Sequence, residues 1–296
     1  MTSIKRTLQN RWGATVTDKQ SDLKKIIMDT KTLPTLPSVI HKLNSLSDNE
    51  KSSVQEMAKI VSSDQVLSAR ILRLANSPSY GFYRVSTISN AMILLGVNVV
   101  KSLALSSSIF AIMEKESVGL WEHSLGVGVA ANLIARKMGL PECEEIATAG
   151  LLHDIGKVII SLKCREAEKE ILKLTNDRRI YIMEAEREVI ATDHAEVGSW
   201  LSKSWFLPDK LIEPIAYHHD VAKSENHRIK TAVVHIADVL IKASGFGNSG
   251  ESFVPPIQKI AWETLNLNER LLAELVDEVE DKLVEVKNFS LEMMSE

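Results

Sequence analysis

Histidine and aspartate residues at seven positions in the second half of the chain could together bind a metal ion. The set is His123, His153, Asp154, His194, His218, His219 and Asp238. Imidazole and carboxylate groups are ligands of Fe, Mn, Zn and Ni, whereas many structural zinc sites are rich in cysteine. The chain has only Cys143 and Cys164. The set therefore predicts one or two divalent transition-metal ions with a redox or hydrolytic role.

By itself the pair His153-Asp154 is weak evidence for a metal site, but the residues around it strengthen that evidence. The pair lies in the largely apolar run from Gly150 to Lys157, which predicts a buried helix. An unpaired His or Asp there would cost free energy, and a bound cation would offset that cost. Neighbouring helical residues project about 100° apart, so the pair could flank one ion or Asp154 could bridge two. Lys157 would lie on the same side and contact a bound anion, so Asp154 and Lys157 are the predicted catalytic residues.

Three histidines, two of them in this set, call for separate interpretation. His218 and His219 cannot point the same way from a helix, so we expect one to be a ligand and the other to contact a ligand or the substrate. The alternative is a pair of solvent-exposed histidines at a helix end. His235 precedes Asp238 by three residues on the same helical face, so it could either hydrogen-bond a metal ligand or form part of a pocket wall, and we favour the hydrogen bond to a ligand.

Helical periodicity dominates the chain and predicts an all-α fold of two packed lobes. Ser53 to Glu56 and Ser62 to Gln65 have the spacing of capping boxes, and Pro34 and Pro37 predict a turn. The predicted divisions are a polar tail (1–20), an N-terminal helical lobe (21–118), a metal-binding lobe (119–245), a loop (246–257) and a C-terminal helical extension (258–296). The predicted segments of the second half are Trp121 to Met138, Glu144 to Leu162, Arg165 to Leu174, Ile180 to Ala191, His194 to Ser204, Pro208 to His219 and Ile257 to Met294.

Composition and charge exclude several functional classes. The net charge of -4 gives no basic excess, which makes nucleic acid an unfavourable partner. The polar N-terminus lacks the apolar run of a signal peptide, and we expect a cytoplasmic protein. The apolar stretch from Ala91 to Met113 contains Asn98 and Lys101, so a buried helix pair broken near Gly96 is favoured over a membrane span.

The order His, His-Asp, His, His-His, Asp resembles the HD superfamily of metal-dependent phosphohydrolases. The run from Leu151 to Lys157 is most similar to the branch that includes the HD-GYP cyclic-dinucleotide phosphodiesterases. The residues after the histidine pair, from Asp220 to Lys223, contain no Gly-Tyr-Pro signature. This difference argues against hydrolysis of a cyclic dinucleotide.

The first half resembles the HDOD family of bacterial signalling output domains. Three runs carry the resemblance: Leu33 to Pro37, Ser63 to Ser77 and Ile88 to Gly96. Many members have lost metal ligands and act as regulatory adaptors, whereas this chain keeps a suitable residue at every position. Within the second run, Arg70, Arg73 and Asn76 either bind an anion or make ordinary contacts beside a buried helix stripe.

The resemblance implies a signalling output or adaptor module whose second lobe is an HD-type helical bundle. Its partner would be a separate signalling protein, because the chain contains no receiver, cyclase or kinase motif. The alternative that it implies is an active phosphohydrolase or phosphodiesterase on a nucleotide or another phosphoester. There the metal would lower the pKa of a bound water and Lys157 would balance the phosphate charge.

Overall fold

The computed structural model describes residues 24–25, 54–62, 65–80, 85–97, 99–100, 103–104, 113, 118–251 and 253–294. All regular elements in these ranges are helical and none is a strand, which confirms the predicted all-α class. The predicted tail (1–20) and the turn at Pro34 and Pro37 lie outside the described residues, as does the side chain of Arg70.

Three helices are described in the first half: α1 (Val54–Ser62), α2 (Gln65–Ala75) and α3 (Ile88–Leu95). Thr87 caps α3, because its side-chain oxygen accepts a hydrogen bond from the Asn90 backbone N–H. Gly96 follows α3 with φ of 90°, a value that glycine adopts without a side-chain clash. The predicted helix break near Gly96 is present.

Asn76 has a structural role in the turn after α2. Its side-chain amide donates to the Val85 carbonyl (3.0 Å), and its side-chain oxygen accepts from the Val85 N–H (2.7 Å). A short 3-10 helix (Pro78–Tyr80) follows, and the buried Tyr80 hydroxyl lies 2.9 Å from the Thr148 hydroxyl in the second half of the chain. The amide of Asn76 therefore stabilises the turn through the backbone, which favours the second of its two predicted roles.

The second half consists of consecutive helices, most of them joined by short turns, with a longer connection between Ser244 and Lys259. They are α4 (Val118–Lys137), α5 (Cys143–Leu152), α6 (Ile155–Lys163), α7 (Arg165–Arg178), α8 (Ile182–Ile190), α9 (His194–Ser204), α10 (Asp209–Tyr217), α11 (Arg228–Ser244), α12 (Lys259–Thr264) and α13 (Glu269–Met294). A 3-10 turn (Val221–Lys223) joins α10 to α11.

Helix α4 lies at the centre of this half. It packs against α5, α11 and α13, and its side chains from Trp121 to Ala131 are almost all buried. A helix that is buried on most of its circumference contacts little solvent, so few of its positions have to be polar. Polar residues that do occur there, such as His123, are consequently placed inside the protein.

The predicted helix from Ile257 to Met294 is wrong in one respect, because it is two helices. Asn266 has φ of 45°, which a continuing helix cannot contain, and Asn268 then caps α13 by accepting from the Leu271 N–H (2.8 Å). Beyond the break, Leu275, Val279 and Val286 are buried along one face of α13, as the periodicity predicted.

None of the helices within the described ranges combines the length and the apolar character that crossing a lipid bilayer requires.

Candidate metal centre

Five stretches of the second half bring the seven predicted donors together. His123 lies near the start of α4, His153 and Asp154 between α5 and α6, His194 at the first position of α9, His218 and His219 directly after α10, and Asp238 within α11. They form two groups suited to a metal ion. One consists of Asp154, His194, His218 and His219, and the other of His123, His153 and Asp238; in each group the donor atoms lie within 4.8 Å of one another.

The His153-Asp154 pair is not inside a helix, contrary to the sequence prediction. Helix α5 ends at Leu152 and α6 begins at Ile155, and Asp154 has φ of -97° and ψ of 12°. These angles lie in the sparsely populated region between helix and strand, which is common at functional sites. The break turns the chain, and both side chains face the same buried space.

His218 and His219 both lie at the site, where the sequence analysis expected one to be a ligand and the other to contact a ligand or the substrate. Helix α10 ends at Tyr217, and His218 keeps helical backbone angles (φ of -61°, ψ of -21°). Their ring centroids are 4.0 Å apart, and both belong to the group around His194. His219 is partly exposed, whereas His218 is completely buried.

Asp154 joins the two groups, because each of its carboxylate oxygens faces one of them. Oδ1 lies 3.2 Å from His194 Nε2 and 3.8 Å from His218 Nε2. Oδ2 lies 3.3 Å from His153 Nε2 and 3.7 Å from His123 Nε2. A carboxylate in this position suits two ions that share one bridging ligand.

Hydrogen bonds to Nδ1 orient three of the imidazoles. Nδ1 of His153 donates to the Gly150 carbonyl (2.7 Å), and Nδ1 of His218 donates to the Ile215 carbonyl (2.9 Å). A carbonyl only accepts, so Nδ1 carries a proton, and Nε2 offers a lone pair once the ring is neutral. Nδ1 of His194 faces Glu186 Oε2 at 2.6 Å. All three Nε2 atoms face the site, as metal ligands require.

Several donor atoms at the centre are buried and make no well-aligned hydrogen bond to a described residue, although His123 Nε2 and Asp238 Oδ1 lie 3.0 Å apart. They are Nε2 of His123, His153 and His218, and Oδ1 of Asp154 and Asp238. Leaving a buried polar atom unpaired costs about 1–3 kcal/mol. A cation bound among these atoms would offset that cost, so the residues present fit a metal centre.

The protonation states of Asp154, Asp238 and His123 follow from burial and from the charged groups beside them. The pKa of Asp154 lies well below its usual value: burial would raise it, but the nearby His153 and Lys157 outweigh burial. The pKa of Asp238 is likewise lowered, chiefly by Lys242. Burial lowers the pKa of His123 to about 4. The carboxylates are therefore ionised and His123 is neutral, which are the forms that bind a metal.

Two of the imidazoles are instead held in the protonated form, which does not bind a metal. Burial would lower the pKa of His153, but the carboxylates of Asp154 and Asp238 raise it to about 9. The pKa of His194 is also raised to about 9, with Glu186 as the main cause opposing burial. A metal ion has to displace these protons, so its binding is coupled to proton release.

Two residues that the sequence analysis missed support the ligands. Glu186 on α8 is buried, and its Oε2 accepts from both the backbone N–H (2.9 Å) and Nδ1 of His194. Lys242 is also buried and donates to Asp238 Oδ2 (2.8 Å). The i,i+4 spacing of Asp238 and Lys242 was a usable signal. No helical spacing relates Glu186 to His194, because α8 ends between them.

Lys157 and His235 lie near the centre, with contacts more specific than the sequence indicated. Nζ of Lys157 donates to Asp154 Oδ2 (2.7 Å) and to the Ser249 carbonyl (2.8 Å), so Lys157 contacts a candidate ligand directly. Nδ1 of His235 donates to the backbone carbonyl of His218 (2.8 Å), and its Nε2 accepts from the Gln258 N–H. His235 thus positions the main chain at His218 rather than a ligand side chain.

Glycine permits the close crossing that places His194 beside Asp154. A Cβ atom on Gly156 of α6 would lie 1.9 Å from the His194 carbonyl oxygen and 2.8 Å from the Gly198 backbone nitrogen. Helices α6 and α9 pack against each other here. Only a residue without a side chain allows this approach of the two backbones.

Comparisons with known proteins agree with this fold. An HDOD domain protein of unknown function from Geobacter sulfurreducens has a crystal structure with a TM-score of 0.70 and 28% sequence identity, and the match covers 92% of this chain and 99% of that one. An uncharacterised protein of Treponema pallidum is 23% identical over 243 residues, 80% of this chain. Ribonuclease Y of Thermus thermophilus is 28% identical over 139 residues, 47% of this chain.

The match spans 45% of the Treponema pallidum protein and 19% of Ribonuclease Y, so this chain corresponds to a part of each. The family model of the HDOD domain matches residues 33–221, which are more than half of the chain. The chain therefore belongs to the HDOD domain family.

Proposed function

We propose that this chain binds one or two divalent transition-metal ions and hydrolyses a phosphoester at that centre. The observation that carries the proposal is the set of buried donor atoms without hydrogen bonds, arranged in two groups that share Asp154. A purely structural role for one ion would need only one of these groups. The proposal therefore favours the alternative that the sequence analysis placed second.

The candidate ligands and Lys157 would have different roles at this centre. The group of Asp154, His194, His218 and His219 would hold one ion, and His123, His153 and Asp238 would hold the other, with Asp154 shared. Bound metal would supply an activated water and Lewis-acid stabilisation of the phosphate oxygens. Nζ of Lys157, which lies 2.7 Å from Asp154 Oδ2, would help to balance the negative charge of a phosphate bound at the centre.

The comparison with Ribonuclease Y supports this chemistry, because the name of that relative denotes cleavage of phosphodiester bonds.

The second candidate is a signalling adaptor in which the metal only stabilises the fold. It is favoured by the enclosure of the donors, since His153, Asp154, His194 and His218 have no exposed surface. Metal analysis and turnover measurements separate the two candidates.

Metal content is the first test. Protein purified without chelators is expected to contain Fe, Mn, Zn or Ni at one or two ions per chain, measured by elemental analysis. Protein that holds no metal above background and takes up none of these ions would contradict both candidates.

Turnover is the second test, with bis(p-nitrophenyl) phosphate and p-nitrophenyl phosphate as substrates for the metal-loaded protein. Asp154→Ala is expected to abolish hydrolysis, and Lys157→Ala to lower it by roughly 10²–10³-fold, as for loss of one group that stabilises transition-state charge. Lys169→Ala, which changes an exposed lysine on α7, is the control. Hydrolysis that persists in both site variants comes from a contaminant, and absence of hydrolysis in the wild type favours the adaptor.

A further inference from the structure

His219 is the candidate ligand at which the metal centre meets the surface of the protein. The other six candidate ligands are at most 1% exposed, whereas His219 is partly exposed. Its Nε2 lies 2.8 Å from Nε2 of His194, within the group that also contains Asp154 and His218. A molecule that binds to an ion in this group is therefore expected to approach it from the side of His219.

A cavity of about 570 Å³ lies on this side of the centre and has His219 in its wall. The volume falls within the range of about 300–1,000 Å³ that is typical of pockets for small molecules. Helices α8, α9 and α10 contribute to the wall, which includes Tyr217, the residue that directly precedes the histidine pair. The cavity thus joins a candidate metal ligand to a space large enough for an organic phosphate.

Two other cavities lie near the centre but lack one of these two features. A cavity of about 390 Å³ has Lys157 and Glu186 in its wall, but none of the seven candidate ligands is among the described residues that line it. A cavity of about 140 Å³ includes His123, which is 1% exposed, and its volume is below the range of typical small-molecule pockets. The cavity at His219 combines an exposed candidate ligand with sufficient volume.

Two lysines in the wall of the large cavity are available to an anion. Asp193 is already engaged, because its Oδ1 caps α9 and its Oδ2 pairs with Arg187 (2.8 Å). Lys223 pairs with Asp220 at 3.0 Å, but their side chains are 62% and 44% exposed, and such surface pairs contribute little. Lys203 is exposed and forms no ion pair with a described residue.

The sum of the charges at this cavity favours an anionic ligand once metal is bound. Three cationic and three acidic side chains balance one another in the wall: Arg187, Lys203, Lys223, Asp193, Glu196 and Asp220. A divalent ion beside His219 gives the site a net positive charge, which attracts a phosphate.

We propose that a phosphoester reaches the metal centre through this cavity, with its phosphate beside His219 and with Lys203 and Lys223 supplying positive charge along the route. Its organic group then lies within the cavity, whose wall includes the aromatic side chains of Trp200 and Tyr217. This inference rests on the proposed function for the identity of the substrate. It adds the route of entry and two residues that favour an anionic ligand without being candidate metal ligands.

Binding of phenylphosphonate to the Mn²⁺-loaded protein tests the ligand, because the carbon–phosphorus bond of this probe resists hydrolysis. Isothermal titration measures the affinity, and line broadening in phosphorus NMR shows that the phosphorus atom lies close to Mn²⁺. Lys203→Glu combined with Lys223→Glu is expected to weaken binding at least about tenfold, because two charges near an anion are reversed. Lys169→Glu combined with Lys173→Glu is the control, since it changes the net charge equally at exposed positions outside the cavity.

Alkylation of an introduced cysteine tests the route. Ala216 and Ser161 are small and partly exposed, and they line the large cavity and the cavity of about 390 Å³ respectively. Ala216→Cys and Ser161→Cys are loaded with Mn²⁺ and treated with N-ethylmaleimide, and alkylated wild type accounts for the native Cys143 and Cys164. Alkylation of Ala216→Cys is expected to weaken phenylphosphonate binding and to slow metal removal by a chelator, each at least about tenfold. Alkylation of Ser161→Cys is expected to change neither.

The proposal is overturned if phenylphosphonate does not bind or if the two double-lysine variants bind it equally well. It is also overturned if alkylation of Ala216→Cys blocks binding no more than alkylation of Ser161→Cys. Metal content is measured for every protein, so that loss of the ion in one variant is recognised and the other test decides.

The outcomes separate this inference from the proposed function, since the readouts are binding and metal release. Hydrolysis of bis(p-nitrophenyl) phosphate that persists after complete alkylation of Ala216→Cys leaves the proposed function standing and removes this inference. Probe binding that depends on the lysine pair and is blocked at Ala216, in a protein without turnover, does the reverse.

Discussion

Replacement of Glu186 provides a sharp test of how the metal ligands are oriented. Glu186 is 2% exposed, and one of its oxygens accepts from both the backbone N–H and Nδ1 of His194. The bond to Nδ1 directs Nε2 of His194 towards Asp154 Oδ1. Glu186→Gln keeps the shape and an accepting oxygen but removes the charge, whereas Glu186→Ala removes both.

The expected loss in metal affinity follows from these contacts. Removing the hydrogen-bonded partner of a metal-bound histidine lowers metal affinity by about 10–100-fold. That range corresponds to about 1.4–2.7 kcal/mol. Glu186→Ala also leaves two buried N–H groups of His194 unpaired, which costs about 1–3 kcal/mol for each of them. We therefore expect Glu186→Gln to fall at the lower end of the affinity loss and Glu186→Ala at or beyond the upper end.

Competition with a metal-binding dye measures the affinity, and thermal unfolding of the metal-free protein measures the effect on the fold. Glu188→Ala is the control, because Glu188 lies on the same helix but is exposed and pairs with Arg178. A Co²⁺ absorption spectrum adds a readout that a change in stability alone would not alter. The reasoning is refuted if Glu186→Ala binds metal as tightly as the wild type, or if Glu188→Ala loses as much affinity.

Three further predictions concern the centre and its scaffold. Asp154→Ala should remove metal more completely than His235→Ala, because Asp154 faces both groups and His235 contacts only main-chain atoms; equal loss in competitive chelation would contradict this. Gly156→Ala should destabilise the fold by more than about 2 kcal/mol in denaturant unfolding, because its Cβ would overlap the backbone of the helix that begins at His194; an unchanged midpoint would show that the two helices can separate. Two lysines hold the folded pKa of Glu142 at about 2, below its ordinary 4.5, so this carboxylate stabilises the fold above pH 4.5 and the effect is lost as the pH falls towards 2. Glu142→Gln should therefore cost up to about 1 kcal/mol at pH 7, a small value for a half-exposed group, and nothing near pH 2; a cost that is constant with pH would disprove the ion-pair explanation.

The sequence predicts which segments are helical because helix formation depends mainly on residues close to one another in the chain. Apolar residues at helical spacing predicted α4, α8 and α9 close to their observed bounds, whereas α7 continues four residues beyond its predicted end. The run from Ile257 to Met294 was misjudged because a left-handed residue, Asn266, ends one helix without interrupting the apolar pattern. Helix ends depend on a few backbone angles, and periodicity does not report them.

The sequence by itself determined which residue types are available for a metal centre and in which order they occur. It did not determine how their side chains converge, because the two pairs lie at the ends of separate helices and their relative positions depend on how those helices pack. The local i,i+3 spacing already placed Lys157 on the same side as Asp154, but only the tertiary structure placed Glu186 on His194. The contact between Glu186 and His194 joins two separate helices, and its geometry depends on how those helices pack, which no local pattern in the chain encodes.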